Sequence, residues 1–230
     1  MRTIAITIIL MALGCSGSFA SDKTESKWEL AKDKQGVKVY TRKVKGIDLK
    51  EFRGVMTIKT SLTSLVALVS DAEAAPDWLA NCSKSKVLKR INPSETYVYS
   101  LSKAPWPVMD RDSIIHSLIS QDPTTLVVTI KQTGKPDYIK AKNKIARVKR
   151  IQGFWQLTPQ KNGKVEVVYQ ALSDPGGAIP AWLINASLVS QPYETLLKIP
   201  SVIKKAKYRK AKLEFIKEQE HALKEKDISR

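Results

Sequence analysis

The sequence predicts an α+β fold in which a run of antiparallel strands is followed by one long amphipathic helix. Between residues 28 and 173, short β-type segments are separated by turn sequences such as "NPSE", "QDPT" and "QKNG". From Pro180 the apolar residues recur with a helical period. Strands this closely spaced form an antiparallel sheet, because parallel strands need long crossover connections.

The first third of the chain predicts a hairpin, a third strand and two short helices. In "WELAKDKQGVKVYTRK", residues 28–43, "DKQG" forms the turn between two strands, and residues 49–59 form the next strand. Ser61 is placed to cap a helix whose apolar residues share one face. "AEAAPDWLAN" predicts a second short helix, with Pro76 near its start.

The remainder predicts more strands and then the long helix. The strands are expected at residues 86–91, 96–102, 113–120, 124–133, 146–158 and 164–173. The helical stripe consists of Trp182, Ala186, Val189, Tyr193, Leu196 and Ile203. Pro192 and Pro200 are expected to kink or break this helix, because proline removes a backbone donor.

Residues 1–20 have the pattern of a secretory signal peptide. A short basic start precedes an apolar stretch at residues 4–14 that is too short to span a bilayer comfortably, and "SFA" ends at Ala20 as a small-residue cleavage site. We expect cleavage after Ala20 and an exported, periplasmic or secreted protein. An alternative is cleavage before Cys15, which then carries a lipid anchor. No later stretch is apolar enough to predict a spanning helix.

The remaining chain is predicted to be one domain, residues 21–210, with a charged helical tail at residues 211–230. Its one cysteine, Cys82, excludes an internal disulfide and predicts a buried thiol. Of the formal net charge of +17, much lies in residues 131–150, which have eight basic residues and one acid, and in residues 198–230, which have eleven and five. For an exported protein this favours an anionic membrane surface as partner over nucleic acid.

Three stretches resemble the START domain family, which is related to the steroidogenic acute regulatory protein and binds and transfers lipids. They are "WELAKDKQGVKVYTRKV", "APWPVMDRDSI" and "SDPGGAIPAWLINASLVSQPYETL". The resemblance spans residues 28–208 and suggests a bacterial-type exported member. It implies a helix-grip fold, in which a curved antiparallel sheet wraps around the C-terminal helix and leaves an apolar tunnel for one lipid. We expect a monomer that needs no metal or cofactor.

The glycines in "DPGGAIP" have two interpretations. A phosphate-binding loop needs a basic partner, but Asp174 precedes the glycines and no Lys or Arg lies between Ser173 and Gln191. The better interpretation is a strand-to-helix turn in which Gly176 and Gly177 adopt unusual backbone angles and Pro180 lies in the first helical turn. The same glycines can let the helix tilt as a gate.

Core packing is the default expectation for buried aromatic side chains, but the resemblance implies that some of them line the tunnel. The candidate ligand-binding residues are Tyr97, Tyr99, Trp106, Trp155, Tyr169, Trp182, Asn185, Val189 and Tyr193, together with Asp110, Arg111 and Asp112. In a strand Asp110 and Asp112 share one face and Arg111 points to the other. Periodicity leaves open which face is inward, and a salt bridge at the rim of the sheet remains an equal alternative.

An enzyme is the alternative function, because helix-grip proteins include cyclases and hydrolases and a carboxylate pair can perform acid–base chemistry. Against it, His116 and His221 are the only histidines, and no Ser-His-Asp or zinc motif is present. The sequence therefore predicts binding and transfer of a lipid or another hydrophobic molecule, without catalysis.

Overall fold

The computed structural model describes residues 26–46, 49–176, 179 and 181–219. The predicted signal peptide and Gly177 lie outside the described residues. The described chain forms one ten-stranded sheet with four α-helices. The strands are β1 (Glu29–Lys34), β2 (Val37–Lys43), β3 (Lys50–Lys59), β4 (Cys82–Asn92), β5 (Glu95–Ser102), β6 (Arg111–Gln121), β7 (Val128–Gly134), β8 (Ala146–Arg147), β9 (Arg150–Pro159) and β10 (Lys164–Asp174). The helices are α1 (Leu62–Ser70), α2 (Ala75–Trp78), α3 (Ala181–Val202) and α4 (Ala206–Arg209), with a 3-10 turn at Ala72–Ala74.

The sheet is antiparallel and curved, with strand order β1-β2-β3-β10-β9-β7-β6-β5-β4. Only the two-residue strand β8 pairs in parallel, with the start of β6, among the described strands. The predicted strand at residues 146–158 is therefore two strands. After β8 the Val148 amide still donates to the Asp112 carbonyl of β6, and the next amide, of Lys149, donates to the Asp174 carbonyl of β10 at 3.0 Å. The chain thus crosses from β6 to β10 just before β9 begins.

Register identifies the face of the sheet that receives helix α3. A Cβ added at Gly54 on β3 would lie 2.7 Å from Leu196 Cδ1 of α3, so the two elements are in close contact. Residues directly opposite each other in neighbouring strands share a face. That row continues from Gly54 across the sheet through Tyr169, Trp155, Ile130 and Ile119. We call the face that contains this row the concave face, and the other the convex face.

The helices close the concave face with the main hydrophobic core. Leu65 of α1 and Leu196 of α3 are fully buried, as is Leu157 of β9. Ser61 caps α1 as predicted, because its Oγ accepts from the Ser64 amide at 3.1 Å. The helix-grip fold is confirmed, since a long C-terminal helix lies against the curved sheet.

Helix α3 runs unbroken through Pro192 and Pro200, so a break at these prolines is wrong, whereas a kink stays a prediction. Packing explains this, because Pro192 Cβ lies 3.4 Å from a Cβ added at Gly54 and the ring is buried against β3. The predicted apolar stripe is correct only in the second half of the helix. Tyr193, Leu196 and Ile203 are buried, whereas Trp182 and Ala186 are exposed.

The predicted helical tail is wrong for residues 211–219, which contain no helix. Contacts with the domain replace the helical hydrogen bonds. The Glu218 carboxylate accepts from the amides of Leu62 and Thr63, at 3.1 and 2.7 Å, where α1 begins. Ile216 is buried, and the Gln121 side chain bonds both backbone groups of Lys217. Residues 220–230 lie outside the described chain.

Candidate ligand-binding site

The polar part of the concave face lies where β4, β5 and β6 run side by side. Ser102 of β5 is opposite Arg111 of β6, and Ser100 is opposite Ser113. Across the next strand pair, Cys82 is opposite Ser102 and Ser85 is opposite Ser100. Alternation along β6 from Ile119 places Ser113 and Arg111 on the concave face. This set, Cys82, Ser85, Ser100, Ser102, Arg111 and Ser113, is called the polar cluster below.

Arg111 is the one charged member of the polar cluster, and it is 8% exposed. Its Nη1 donates to the Met109 carbonyl, and its Nε is buried without a hydrogen-bond partner in the described part of the chain. Burial lowers the pKa of Arg111, although the nearby Asp110 charge opposes that effect. A buried cation without an acidic partner is costly, because it loses hydration without gaining a counter-charge.

The rest of the concave face is apolar and aromatic. The rings of Trp155 and Tyr169 stack at 4.0 Å, and Phe52 meets Tyr169 edge-on at 4.9 Å. The Tyr169 hydroxyl accepts from Gln191 Nε2 of α3 at 3.4 Å, and burial raises the pKa of this phenol. The concave face therefore presents a cation and serine hydroxyls beside a surface of rings and aliphatic side chains.

Two predicted wall residues, Tyr97 and Tyr99, lie on the convex face instead. They are opposite His116 and Ile114, which alternate with the concave residues of β6. Tyr97 stacks on His116 at 4.7 Å and on Tyr138 at 4.4 Å. The sequence pattern predicts only that these tyrosines are covered. The segment that covers them is the loop at residues 135–145, on the side of the sheet opposite helix α3.

Asp112 also lies on the convex face, where it is fully buried. Arg147 holds its carboxylate, with Nε at 2.7 Å from Oδ1 and Nη2 at 3.2 Å from Oδ2. The same guanidinium donates to the Pro136 and Ile139 carbonyls and so fixes the loop over the sheet. The structure thus places Arg111 inward and Asp112 in a structural ion pair.

Asp110, in the loop between β5 and β6, accepts from Lys103 Nζ at 2.7 Å and from the Ala104 amide at 3.2 Å. The Lys103 bond and the Ala104 bond lower the pKa of this carboxyl. Within the described residues its carboxylate bonds to no other member of the predicted ligand set, although its charge acts on the adjacent Arg111. The predicted pair of carboxylates is therefore divided between a loop and the convex face, because Asp110 precedes the first residue of β6.

The predicted residues near the start of α3 and in the β5–β6 loop are exposed. Trp106 is 93% exposed and Trp182 is 69% exposed, and Asn185 also faces solvent. They are not wall residues in this structure, because the first half of α3 lies beyond the region where α3 contacts β3. Val189 is half-buried, and Tyr193 is buried with its hydroxyl donating to Gln35 Oε1 at 2.6 Å. Of the predicted set, Arg111, Trp155 and Tyr169 share the concave face.

The serines of the polar cluster were missed by sequence reasoning. Ser100 and Ser113 are buried at 7% and 9% exposure, and Cys82, predicted to be a buried thiol, is at 7%. The available signal was the period of two, which places Ser113 on the same face as Arg111. The period of two separates the two faces of a strand. Which face is inward could be identified only once the position of helix α3 was known.

The turn into α3 agrees with the predicted role of its first glycine. Gly176 has a φ of +64°, and its amide donates to Asp174 Oδ1 at 2.9 Å. A Cβ there would also lie 2.9 Å from the Arg147 carbonyl oxygen. Both the positive φ and this close contact therefore disfavour a side chain at this position.

Within residues 26–46, 49–176, 179 and 181–219, no group of three His, Cys, Asp or Glu side chains could hold a metal ion. In the same residues, no helix combines the length and the hydropathy needed to cross a bilayer.

Sequence comparison identifies the family, since the START domain family matches residues 21–196. The chain belongs to the START domain family. It is 36% identical over 208 residues to an uncharacterised protein of Pseudomonas aeruginosa, covering 89% of this chain and 100% of that one. It is 27% identical to the phosphatidylcholine transfer protein of Bos taurus, covering 69% of this chain and 75% of the relative.

Solved START structures have the same fold. A crystal structure of a STAR-related lipid transfer protein fragment from Xanthomonas axonopodis is 36% identical, covers 77% of this chain and 99% of that one, and has a TM-score of 0.72. Human StAR-related lipid transfer protein 5 is 14% identical, with coverages of 80% and 88% and a TM-score of 0.70. The second likeness concerns the fold alone.

Proposed function

We propose that the protein binds one lipid against the concave face of its sheet and transfers it between membranes. The observation that carries this proposal is Arg111, a buried cation with no acidic partner on a face that is otherwise apolar. Membership of the START domain family and similarity to proteins named for lipid transfer support it.

The geometry suggests how such a ligand is held. A hydrogen-bond acceptor on the lipid, such as a phosphate, carboxylate or carbonyl oxygen, bonds to the Arg111 guanidinium and restores the partner that burial removed. The hydroxyls of Ser100 and Ser113, buried beside it, donate or accept further bonds. The acyl or ring portion lies along Trp155 and Tyr169, where burial of apolar surface contributes most of the affinity.

We do not propose catalysis. The two carboxylates considered for acid–base chemistry are bonded to cations away from the concave face, Asp112 to Arg147 and Asp110 to Lys103. Binding and orienting a lipid requires no chemical step. Hydrogen bonds from Arg111 and two serines can hold the lipid in place. Family members named for lipid transfer support the same view.

We also propose that the protein is exported as a monomer and makes transient contact with anionic membranes. The support for export is the sequence of residues 1–20, with cleavage after Ala20. The net charge of +17 supports both attraction to anionic lipid and mutual repulsion of copies. N-terminal sequencing should find Ser21 as the first residue, whereas an intact Met1 or a lipid on Cys15 contradicts the soluble exported form.

The direct test is native mass spectrometry of the purified protein, followed by extraction and identification of the bound molecule. We expect one lipid per chain, and a clear loss of occupancy in Arg111→Met. Arg150→Met is the matched control, because Arg150 is an exposed arginine of the same sheet and should retain wild-type occupancy. A protein that never carries lipid, or equal occupancy in both variants, contradicts the proposal.

A further inference from the structure

The polar cluster surrounds one cation with neutral groups. Its members besides Arg111 are serines and Cys82, and burial raises the pKa of the Cys82 thiol, which therefore stays neutral near pH 7. Among the described strand residues, register places one carboxylate on the concave face, that of Glu29. Glu29 is exposed on the edge strand β1, and β2, β3, β10, β9 and β7 lie between it and β6. The concave face of the described strands therefore offers Arg111 no neighbouring counter-charge.

The two acids adjacent to Arg111 in the sequence do not fill this gap. Asp112 belongs to the ion pair on the convex face. The Asp110 carboxylate acts on Arg111 through its charge, but its hydrogen bonds come from Lys103 Nζ and the Ala104 amide. The Nε of Arg111 is left buried without a hydrogen-bond partner in the described part of the chain. A ligand that completes this site has to bring the negative charge itself.

The aromatic rings of the concave face lie far from Arg111 along the sheet. Register places three rings on this face among the described strands, those of Phe52, Trp155 and Tyr169. Trp155 shares its row with Ile119, which lies on β6 well beyond Arg111. At about 3.4 Å per residue, Ile119 and Arg111 are about 27 Å apart along the strand. Trp106, the ring nearest Arg111 in the sequence, is 93% exposed. The described strands thus form no aromatic cage beside Arg111.

A lipid headgroup that carries an ammonium group needs one of these two features. A quaternary ammonium such as that of choline is recognised over aromatic faces, and a buried primary ammonium needs a carboxylate or other acceptors. A zwitterionic head bound at Arg111 would bring a second cation into the same buried region, so the net charge there would stay positive. A head with a phosphate or a carboxylate and no ammonium neutralises Arg111 and adds no unpaired cation.

We propose that the polar cluster selects an anionic lipid whose head carries a phosphate or a carboxylate and no ammonium group. The oxyanion bonds to the Arg111 guanidinium, and hydroxyl or ester oxygens of the head pair with the serines. Phosphatidylglycerol and free fatty acids belong to this class, whereas phosphatidylcholine does not. This inference rests on the proposed lipid-binding function and deepens it. It separates this chain from the 27% identical relative that is named for phosphatidylcholine transfer.

The test presents both kinds of head on one surface, so that attraction of this basic protein to anionic vesicles brings both lipids within reach. Delipidated protein is incubated with vesicles of dioleoyl phosphatidylglycerol and dioleoyl phosphatidylcholine in equal parts and is then separated from them. Native mass spectrometry measures the two lipids bound. We expect phosphatidylglycerol to exceed phosphatidylcholine by at least about tenfold, because an uncompensated buried charge is costly. Equal uptake, or an excess of phosphatidylcholine, overturns the proposal.

Ser102→Asp supplies the missing acid from within the fold. Ser102 of β5 is opposite Arg111, and the Cβ atoms of such a pair are about 5 Å apart, so an aspartate there reaches the guanidinium. Ser102→Asn has the same shape without the charge, so the difference between the two variants reports the charge alone. We expect the ratio of phosphatidylglycerol to phosphatidylcholine to be at least about tenfold lower in Ser102→Asp than in Ser102→Asn. Equal ratios in two folded variants overturn the proposal, and melting curves check the folding.

A further arm distinguishes phosphate from carboxylate and separates this inference from the proposed function. Oleic acid replaces phosphatidylglycerol in the vesicles and should also be bound ahead of phosphatidylcholine, if a carboxylate serves Arg111 as a phosphate does. Selection of phosphatidylglycerol alone restricts the site to a phosphate and still agrees with the proposal. A protein that holds phosphatidylcholine as readily as both anions keeps the proposed lipid binding and loses this selectivity. A protein that binds none of the three lipids loses the proposed function as well.

Discussion

Arg111 is buried and Arg147 is largely buried, and they lie on neighbouring strands, yet their surroundings are opposite. The Arg147 side chain is 11% exposed on the convex side, where it bonds to a fully buried carboxylate and to backbone carbonyls. Arg111 is 8% exposed on the concave side and bonds to one carbonyl. The fold therefore pairs Arg147 with a bonded carboxylate, whereas no carboxylate of the described residues bonds to Arg111. This difference is the basis of our proposal that a lipid supplies the hydrogen-bond acceptor that Arg111 lacks.

The largest loss of stability is expected when Arg147 loses the carboxylate of Asp112. Asp112→Asn keeps the shape of the side chain but leaves the Arg147 guanidinium buried without a counter-charge. Removing one member of a buried ion pair costs about 3–5 kcal/mol of the free energy of unfolding. Urea denaturation followed by circular dichroism measures this loss.

Asp110→Asn is the matched control for that experiment. Its side chain is 24% exposed and pairs with Lys103, which is 66% exposed, so the loss of stability should be much smaller. If the two variants are equally stable, the convex ion pair is not the structural element that its geometry indicates.

The sequence predicted the strands of this region but not their inward face. Alternation correctly placed Arg111 and Asp112 on opposite faces, but it wrongly included Asp110, which lies in the loop before β6. The inward direction, however, depends on α3 lying against Gly54 and on residues 135–145 covering the convex side, both distant in sequence. Tyr97 and Tyr99 were assigned to the wrong side for that reason. A buried aromatic residue reads the same in sequence whether a helix or a loop covers it.

In the C-terminal part of the chain, tertiary contacts override the local helix propensity. Pro192 is a poor residue for a helix interior, but its contact with β3 keeps it within α3. Residues 211–219 are charged and helix-friendly, yet Glu218 caps α1 and Ile216 enters the core. Sequence periodicity describes neighbours along the chain, and these contacts join residues far apart in it.

The two arginines should respond in opposite ways to the same substitution. Arg147→Met leaves Asp112 buried and unpaired, so the free energy of unfolding should fall. Arg111→Met removes a cation that has no counter-charge and replaces it with an apolar chain of similar length. In delipidated protein this should leave stability unchanged or raise it by about 1 kcal/mol.

Urea denaturation of both delipidated variants measures this difference in sign. Adding lipid back should stabilise the wild type more than Arg111→Met, because a ligand that binds the native state adds to its stability. A large loss of stability in delipidated Arg111→Met would instead give this arginine a structural role. The contrast between the two faces would then disappear.

The smallest expected effect uses Cys82 as a reporter of the concave face. Its Sγ lies 3.5 Å from Ser100 Oγ and donates weakly to the Lys84 carbonyl at 3.7 Å. Burial raises the pKa of the Cys82 thiol above its usual value, despite these two bonds. Because the thiolate is the reactive form, alkylation of Cys82 should be slow at pH 8 and should increase at higher pH than for an ordinary thiol.

An exposed thiol on the convex face provides the comparison. Ser120→Cys in a Cys82→Ser background places a single cysteine at an exposed position of β6, opposite Thr129. Iodoacetamide should modify this thiol several times faster than Cys82 at the same pH. Delipidation should accelerate Cys82 alone, because a lipid against the polar cluster shields that face only. Equal rates at the two positions would mean that reagent reaches the polar cluster freely, and a lipid held there could not be sheltered from water.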